Sequence, residues 1–427
     1  MADITGMKKN DLERLHDELL KQYQAFKSRN LSLDMTRGKP CGEQLDLAAE
    51  MMTCVNGRNY RAQDGTDCRN YGGLDGLPEA KTLFSEYLEV APDEIIISGN
   101  SSLSVMHDTL VRAMLHGTGN GEAPWGKLPK IRFLCPSPGY DRHFFICEYL
   151  NIEMIPVELG SDGPDMKTVE SLAAADESIK GIWCVPKYSN PTGITYSGEV
   201  VDRLASMKTK AADFRIFWDN AYTAHHLTGT PDRLKNILES AKKAGHPERV
   251  LIFGSTSKVS LAGAGLSFLG GSPKNIEYAR KQLSAQTIGP DKLNQLRHLH
   301  FFKDMNGITE HMKKHAAIVK PKFDIVQRIL SSRLADKHIA QWTRPNGGYF
   351  VSIDTLDGCA AAVIRMAREA GVKLTPAGAT FPYGKDPRDR NIRIAPTFPP
   401  ADQVETAMEL VAICIQLESV DKLLRTR

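Results

Sequence analysis

Three short segments place reactive side chains directly after apolar runs. In the first, Lys258 ends the hydroxyl-rich Gly254-Ser255-Thr256-Ser257-Lys258, which follows the run Val250 to Phe253. An amine there can attack a carbonyl carbon and, once free, can take a proton from carbon. In the second, Asp219 closes the run Phe214 to Trp218, and Tyr222 follows three residues later. A carboxylate can pair with a cation or accept hydrogen bonds, and a phenol can donate one. In the third, Asn190 lies in Lys187-Tyr188-Ser189-Asn190-Pro191-Thr192-Gly193, after the run Gly181 to Val185. Proline keeps the residue before it extended, which leaves the amide side chain free to point at a ligand. Taken alone, each segment has a plainer structural reading: an acid at a strand end often caps a helix, a lysine usually faces solvent, and Asn-Pro makes a turn. They meet only if the apolar runs are neighbouring strands, because an α/β sheet places its ligands outside the carboxyl ends of its strands.

The rest of the pattern predicts such a sheet. Ile95 to Ile97, Ile131 to Leu134, Ile152 to Val157 and the three runs above are short, continuous and separated by helical stretches, as a mostly parallel α/β sheet covered on both faces requires. Leu12, Leu15, Leu19 and Leu20 predict an opening amphipathic helix from about Lys9 to Phe26. From Lys292 to Leu334 the pattern is helical, with a break expected at Asn306-Gly307 and a kink at Pro321. A hairpin is expected over Pro345 to Ile353 around Asn346-Gly347-Gly348, then a helix near Ala360 to Ala370, a strand at Ile392 to Ala395 and a last helix after Pro400. A chain of 427 residues allows two or three domains. We expect a large domain over 50–300 and a smaller α+β domain assembled from 1–49 and 301–427.

Composition excludes several classes. With 41% hydrophobic and 25% charged residues the chain is an ordinary globular one, and a balance of 54 basic to 51 acidic residues favours no nucleic-acid or membrane partner. The eight cysteines show no C-x-x-C pair and no zinc spacing, and they read as mostly buried, reduced thiols. No apolar run is long enough to span a membrane and the start is charged, so the expected location is cytoplasmic. Gly121 to Lys127 fits seven positions of a phosphate-binding P-loop, but Leu128 stands where Ser or Thr is needed, and Pro124-Trp125 reads as an exposed insertion. His311 and His315 lack the glutamate of a zinc-protease motif and read as an ordinary helix face; no metal site is expected.

The order Asn190, Asp219, Tyr222, Lys258 resembles the fold type I pyridoxal-phosphate enzymes, specifically class I aminotransferases, over nearly the whole chain. The segments Asn70 to Pro78, Ser98-Gly99-Asn100-Ser101-Ser102, Pro136-Ser137-Pro138-Gly139-Tyr140 and Asn391-Ile392-Arg393-Ile394 fall where that family has functional segments. Met35-Thr36-Arg37-Gly38-Lys39-Pro40 and Gly263-Ala264-Gly265-Leu266 most resemble the aspartate aminotransferase subgroup Ic. The chain departs from most class I members at Leu266-Ser267, where an arginine usually binds the cofactor phosphate.

The resemblance implies an enzyme that uses pyridoxal 5'-phosphate to exchange amino groups between an amino acid and a 2-oxo acid, with aspartate and 2-oxoglutarate as the leading pair. It implies that Lys258 binds the cofactor covalently and acts as general base, that Asp219 keeps the ring nitrogen protonated, and that Asn190 and Tyr222 donate to the ring's phenolic oxygen. Tyr140 would stack on the ring, and Ser101, Ser102, Ser255 and Ser257 would hold the phosphate, partly replacing the arginine. Arg393 would clasp the substrate α-carboxylate, with Gly38 and Asn190 beside the substrate. Tyr71 would reach the phosphate of a neighbouring subunit, which makes a homodimer with shared active sites the expected assembly. For the far end of the substrate the sequence leaves Arg37, Lys292 and Arg297 open. A transaminase for aromatic donors or alanine, or a pyridoxal-phosphate lyase, would share the same cofactor residues. A DNA-binding regulator built on this domain is disfavoured, since about thirty residues precede Leu31, too few for a winged helix.

Overall fold

The computed structural model describes residues 3–119 and 121–426. Its twelve strands are β1 (Leu33–Asp34), β2 (Ile95–Ser98), β3 (Arg132–Ser137), β4 (Glu153–Glu158), β5 (Ile179–Cys184), β6 (Arg215–Asp219), β7 (Val250–Ser255), β8 (Ser267–Gly271), β9 (Ala340–Trp342), β10 (Val351–Thr355), β11 (Val372–Lys373) and β12 (Asn391–Ile394). Seven of them form the central sheet in the order β2-β8-β7-β6-β5-β3-β4. Only β8 runs against the rest, pairing antiparallel with both β2 and β7. The fold is thus the expected α/β architecture with a mostly parallel mixed sheet. Successive residues of one strand serve opposite faces: Ile216 and Trp218 pack into one apolar core, and Phe217 into the other. Both faces are therefore covered, as buried parallel strands require.

The topology decides where the strand ends lie. Because β8 reverses twice, β2 points the same way as β7, and the carboxyl ends of β2, β3, β5, β6 and β7 share one rim of the sheet. A second core joins the two ends of the chain: Leu12 and Leu19 of the helix Lys9–Lys27 pack with Val326, Leu330, Val351, Ile353, Val363, Ile392 and Val411. Beside it lie the three-stranded antiparallel sheet β12-β10-β9 and a parallel β1-β11 pair that ties the segment before Met35 to the C-terminal part.

Five local expectations change. Strand β8 has no separate signal, being a five-residue segment ending in Gly270-Gly271. Strand β4 is a half-exposed edge strand, and the Tyr383 hydroxyl accepts the Met154 N–H at 2.8 Å on its open side. The helical break falls at Lys303-Asp304: Lys303 takes φ 66° and Asp304 caps the helix Met305–Leu334 by accepting the Gly307 N–H, so Asn306-Gly307 lies inside its first turn, and the helix continues through Pro321. Asn346-Gly347-Gly348 lies in the long loop 343–350 of a hairpin whose antiparallel strands are β9 and β10, so the expected hairpin is present but its first strand ends at Trp342, before Pro345. It docks on the loop after β6, where the Asn346 carbonyl accepts from Leu227 N–H and Gly348 N–H donates to the His225 carbonyl. Trp125 is fully buried rather than exposed, and its Nε1 donates to Asp213 at 2.7 Å.

That indole shares Asp213 with Lys180, whose Nζ lies 2.6 Å from Asp213 Oδ1 in a buried pocket. Asp213→Ala leaves a buried ammonium unpaired and is expected to cost about 3–5 kcal/mol in denaturant unfolding, whereas the double change Lys180→Met with Asp213→Leu costs much less.

Candidate active site

The shared rim opens on a cavity of ≈ 560 Å³. It is walled by Gly38, Ser101, Ser102, Tyr140, Asn190, Asp219, Tyr222, Ser255, Ser257, Lys258 and Arg393, so eleven of the twelve residues expected at the site meet there. Each arrives from a strand end or the turn after one. Ser101 caps the helix Ser102–His116 after β2, and Tyr140 opens the helix Asp141–Tyr149 after β3. Asn190 lies in the loop after β5, Asp219 ends β6, and Ser255 ends β7 three residues before Lys258. Gly38 comes from the chain's first part, where a Cβ would run into the Phe350 ring, so only glycine lets the backbone approach this closely.

Asp219 is the most constrained of these groups. It is buried, and its Oδ2 lies 3.0 Å from Nε2 of His143, which is buried as well. The His143 ring stacks on Trp183 with centroids 4.2 Å apart and planes 8° apart. Asp219 Oδ1 is buried without any hydrogen-bond partner. A buried carboxylate oxygen carries a large desolvation cost unless something donates to it, so this oxygen marks the place of a missing donor. Lys258 Nζ lies 5.4 Å from the centre of the Tyr222 ring. Burial depresses the Lys258 pKa, opposed by the charge of Asp219, which shifts the amine towards its neutral, nucleophilic form. Burial raises the Tyr140 and Tyr222 phenols, so both remain hydrogen-bond donors at neutral pH.

At the opposite wall Arg393 is held in place before any ligand arrives. Its Nε donates to Thr375 Oγ1 at 3.2 Å, and its Nη1 donates to Asn190 Oδ1 and Asp141 Oδ1, both at 3.3 Å. Among the described residues its Nη2 has no hydrogen-bond partner. Ser101 and Ser102 bring hydroxyls and the free N–H groups of a helix start, and Ser255 lines the same cavity, a donor set that suits an anion; the Ser257 hydroxyl, also in the lining, donates to the Asn100 carbonyl at 2.9 Å. The cationic side chains of the lining are Arg37, Arg142, Lys258 and Arg393.

A family model described as aspartate amino-transferase matches residues 7–427. The chain belongs to that family. It is 43% identical to an aspartate aminotransferase of Corynebacterium glutamicum over 96% of each chain. It is 48% identical to a protein of Mycolicibacterium smegmatis, assigned only as an aminotransferase, over 97% of this chain and 98% of that one. The crystal structure of an aspartate transaminase from Corynebacterium glutamicum superposes with a TM-score of 0.97 at 42% identity, covering 99% of both chains. The protein is an aminotransferase acting on an amino acid and a 2-oxo acid.

In this aminotransferase one expected site residue stands apart. Tyr71 is 79% exposed and does not line the cavity. Of the three cations left open for the far end of the substrate, only Arg37 lines it; Lys292 donates to the Gly72 carbonyl at 2.5 Å, and Arg297 is half-buried outside the lining. His143, Arg142, Phe350 and Thr375 went unforeseen. His143 had a weak signal, three residues after Tyr140, but nothing in the sequence links it to Asp219, 76 residues away. Among the described residues no cluster of His, Cys, Asp and Glu could hold a metal ion, and no helix is long and apolar enough to cross a membrane.

Behind Lys258 lies a group of buried histidines. Burial depresses His225 to about 3, His298 to about 4 and His315 to about 3. The unfolded chain titrates these groups near 6.5, so below that pH it binds protons that the folded protein refuses, and stability falls with pH. Unfolding free energy is expected to drop between pH 6.5 and 5 by about 1.4 kcal/mol per pH unit for each histidine kept neutral. Denaturant midpoints across that range check this; a flat profile refutes it.

Proposed function

We propose that this protein is an aspartate aminotransferase, converting aspartate and 2-oxoglutarate to oxaloacetate and glutamate with pyridoxal 5'-phosphate in the cavity. The observation that carries this reading is the unpartnered, buried Oδ1 of Asp219 at the end of β6, a cavity-facing acceptor suited to a protonated pyridine nitrogen. When bound, pyridoxal phosphate supplies the electron sink that lets an amino-acid α-carbon give up its proton. The protein does the rest. His143 fixes Asp219 Oδ2, so the carboxylate keeps one orientation and directs Oδ1 at the ring nitrogen. Asn190 Nδ2 and the Tyr222 hydroxyl serve as donors to a phenolic oxygen, and Tyr140 covers a ring face. Lys258 would hold the cofactor through its amine, and the same amine, kept towards its neutral form by burial, would be the base for the proton on the substrate α-carbon.

Arg393 pairs with the α-carboxylate through its free Nη2, with its plane already set by Thr375 and Asn190. Gly38 leaves room for the substrate beside it. Arg37 and Arg142 supply further positive charge at the same cavity, which suits a substrate with a second carboxylate and leaves an apolar side chain badly matched. The phosphate falls to Ser101, Ser102, Ser255, Ser257 and helix amides, with no arginine in the position that Leu266-Ser267 occupies. We further propose a homodimer in which exposed Tyr71 reaches the partner's cavity, with the core made from both chain ends forming a small domain. The eight free cysteines suit a reducing, cytoplasmic setting.

The test is a half-reaction screen: purified yellow enzyme is mixed with single amino acids while the cofactor absorbance is followed. Aspartate and glutamate are expected to convert it fastest, and a preference for alanine or phenylalanine sinks the substrate assignment. Lys258→Ala is expected to abolish the conversion, and Asp219→Asn to slow it by about 100-fold or more, the order associated with losing a preorganised charge. Because no arginine stands at Leu266-Ser267, dialysis is expected to strip the cofactor faster than from relatives that carry one there; equal retention counts against the hydroxyl-and-amide cradle.

A further inference from the structure

The roles above leave the buried histidines behind Lys258 unused. Lys258 sits in the turn after β7, where Val259 N–H and Ser260 N–H both donate to the Thr256 carbonyl at 2.8 Å. No strand pairing reaches this turn, so its remaining carbonyls and hydroxyls need partners from elsewhere. His225, from the loop after β6, lies with Nε2 3.2 Å from the Lys258 carbonyl oxygen. His311, from the helix Met305–Leu334, lies with Nε2 2.8 Å from the Val259 carbonyl oxygen. His298, from the helix Lys292–Phe302, lies with Nε2 2.9 Å from the Thr256 hydroxyl. Three separate elements thus send one imidazole each to three of four consecutive residues.

The proton positions follow from the partners. A carbonyl only accepts, so Nε2 of His225 and of His311 must carry the proton. His298 Nδ1 lies 2.8 Å from the Asn294 carbonyl oxygen and so holds that ring's proton, leaving Nε2 to accept from Thr256. The Thr256 hydroxyl oxygen in turn accepts the Leu266 N–H at 2.8 Å, which ties the turn to the start of β8. Behind His311, Gln44 uses Oε1 for the Cys41 N–H and donates its amide to His315 Nδ1 at 3.0 Å, so His315 is protonated at Nε2; that nitrogen lies 3.0 Å from Nε2 of His311, and because both carry their proton neither donates to the other and both turn to the Val259 carbonyl. Every ring has a defined tautomer with no net charge. An arginine or lysine at these positions would also donate to the carbonyls, but would add a buried charge next to the reacting amine.

We propose that His225, His298 and His311 are positioning residues, a clamp on the backbone of the Lys258 turn that delivers the amine to one place beside Asp219. The inference rests on Lys258 being the reacting amine. Thr256 N–H donates to the Leu266 carbonyl at 2.8 Å and the Ser257 hydroxyl to the Asn100 carbonyl at 2.9 Å, but neither bond holds the Lys258 and Val259 carbonyls; without the imidazoles that stretch would keep freedom to shift, and small misplacements of a reacting group cost large factors in rate. The clamp removes that freedom without changing local charge.

The experiment compares His311→Leu and His225→Leu, which remove the donors, with His311→Gln and His225→Gln, which keep an N–H at similar reach. The leucine variants are expected to lose about 10- to 100-fold in kcat with KM for aspartate within about twofold, and glutamine to restore most of the loss. In cofactor-free protein, amide exchange at 257–260 is expected to speed up by about tenfold or more in the leucine variants, with the central strands unchanged. If the leucine variants do not fold, Thr256→Val removes the hydroxyl shared by His298 and the Leu266 N–H while the Ser260 hydroxyl stays 2.9 Å from His298, and faster exchange at 257–260 with unchanged central strands is again expected. Folded leucine variants with full kcat, or turn amides that exchange as in the parent protein, overturn the clamp. Lys258→Ala separates the two readings: an active variant ends the assignment of the amine, whereas the exchange pattern tests the clamp by itself.

Discussion

A buried carboxylate with one oxygen satisfied and one left open governs the architecture of the cavity. Asp219 Oδ2 faces His143 at 3.0 Å while Oδ1 has no partner, and the whole group lies out of water at the end of a central strand. Such an arrangement is costly in the free protein, because desolvation of an ionised oxygen is not offset. It persists because the surroundings fix it: Trp183 stacks on the histidine, and β6 is hydrogen-bonded to β5 on one side and to β7 on the other. The stored imbalance becomes favourable once a cationic donor occupies the cavity. The lysine one strand away and the arginine across the opening are useful only because this acceptor sets where a ring must lie.

The polar interior uses two different strategies. Towards the ligand it places Asp219, Lys258 and Arg393, whose side chains line the cavity. Behind the lysine it places neutral imidazoles whose hydrogen bonds are directional but add no charge. The separation makes sense electrostatically: extra cations near Lys258 would depress its pKa further, and extra anions would restore its proton and remove the nucleophile. Where Ser101 and Ser102 open a helix on the cavity, the lining offers hydroxyls and helix N–H groups, neutral donors of a third kind.

Much of this was legible in the chain because parallel strands are short continuous apolar runs and their carboxyl ends are where ligands bind. Asn190, Asp219, Lys258 and the serines could be placed at one rim from that rule together with the family resemblance, and they do line one cavity. Hidden features share a physical cause. Strand β8 has only five residues, two of them glycine, and gains its strand character from neighbours on both sides. Trp125 sits in a stretch rich in turn formers, and what buries it is packing against Phe133 and the core around it, with its Nε1 bonded to Asp213, 88 residues away. The glycines at 347 and 348 read as a turn, yet they serve close approach to the loop after β6.

The sequence by itself determined the chemistry available: which amine, which acid, which guanidinium, and that the usual arginine at Leu266-Ser267 is missing. It did so because side-chain type and strand-end position are local properties. Only the tertiary structure decided which groups share a hydrogen bond. The pairing of His143 with Asp219, the separation of Lys292 and Arg297 from the cavity, and the convergence of three histidines on one turn depend on strand order and helix packing. Those relations join residues far apart in the chain, where spacing carries no information about distance.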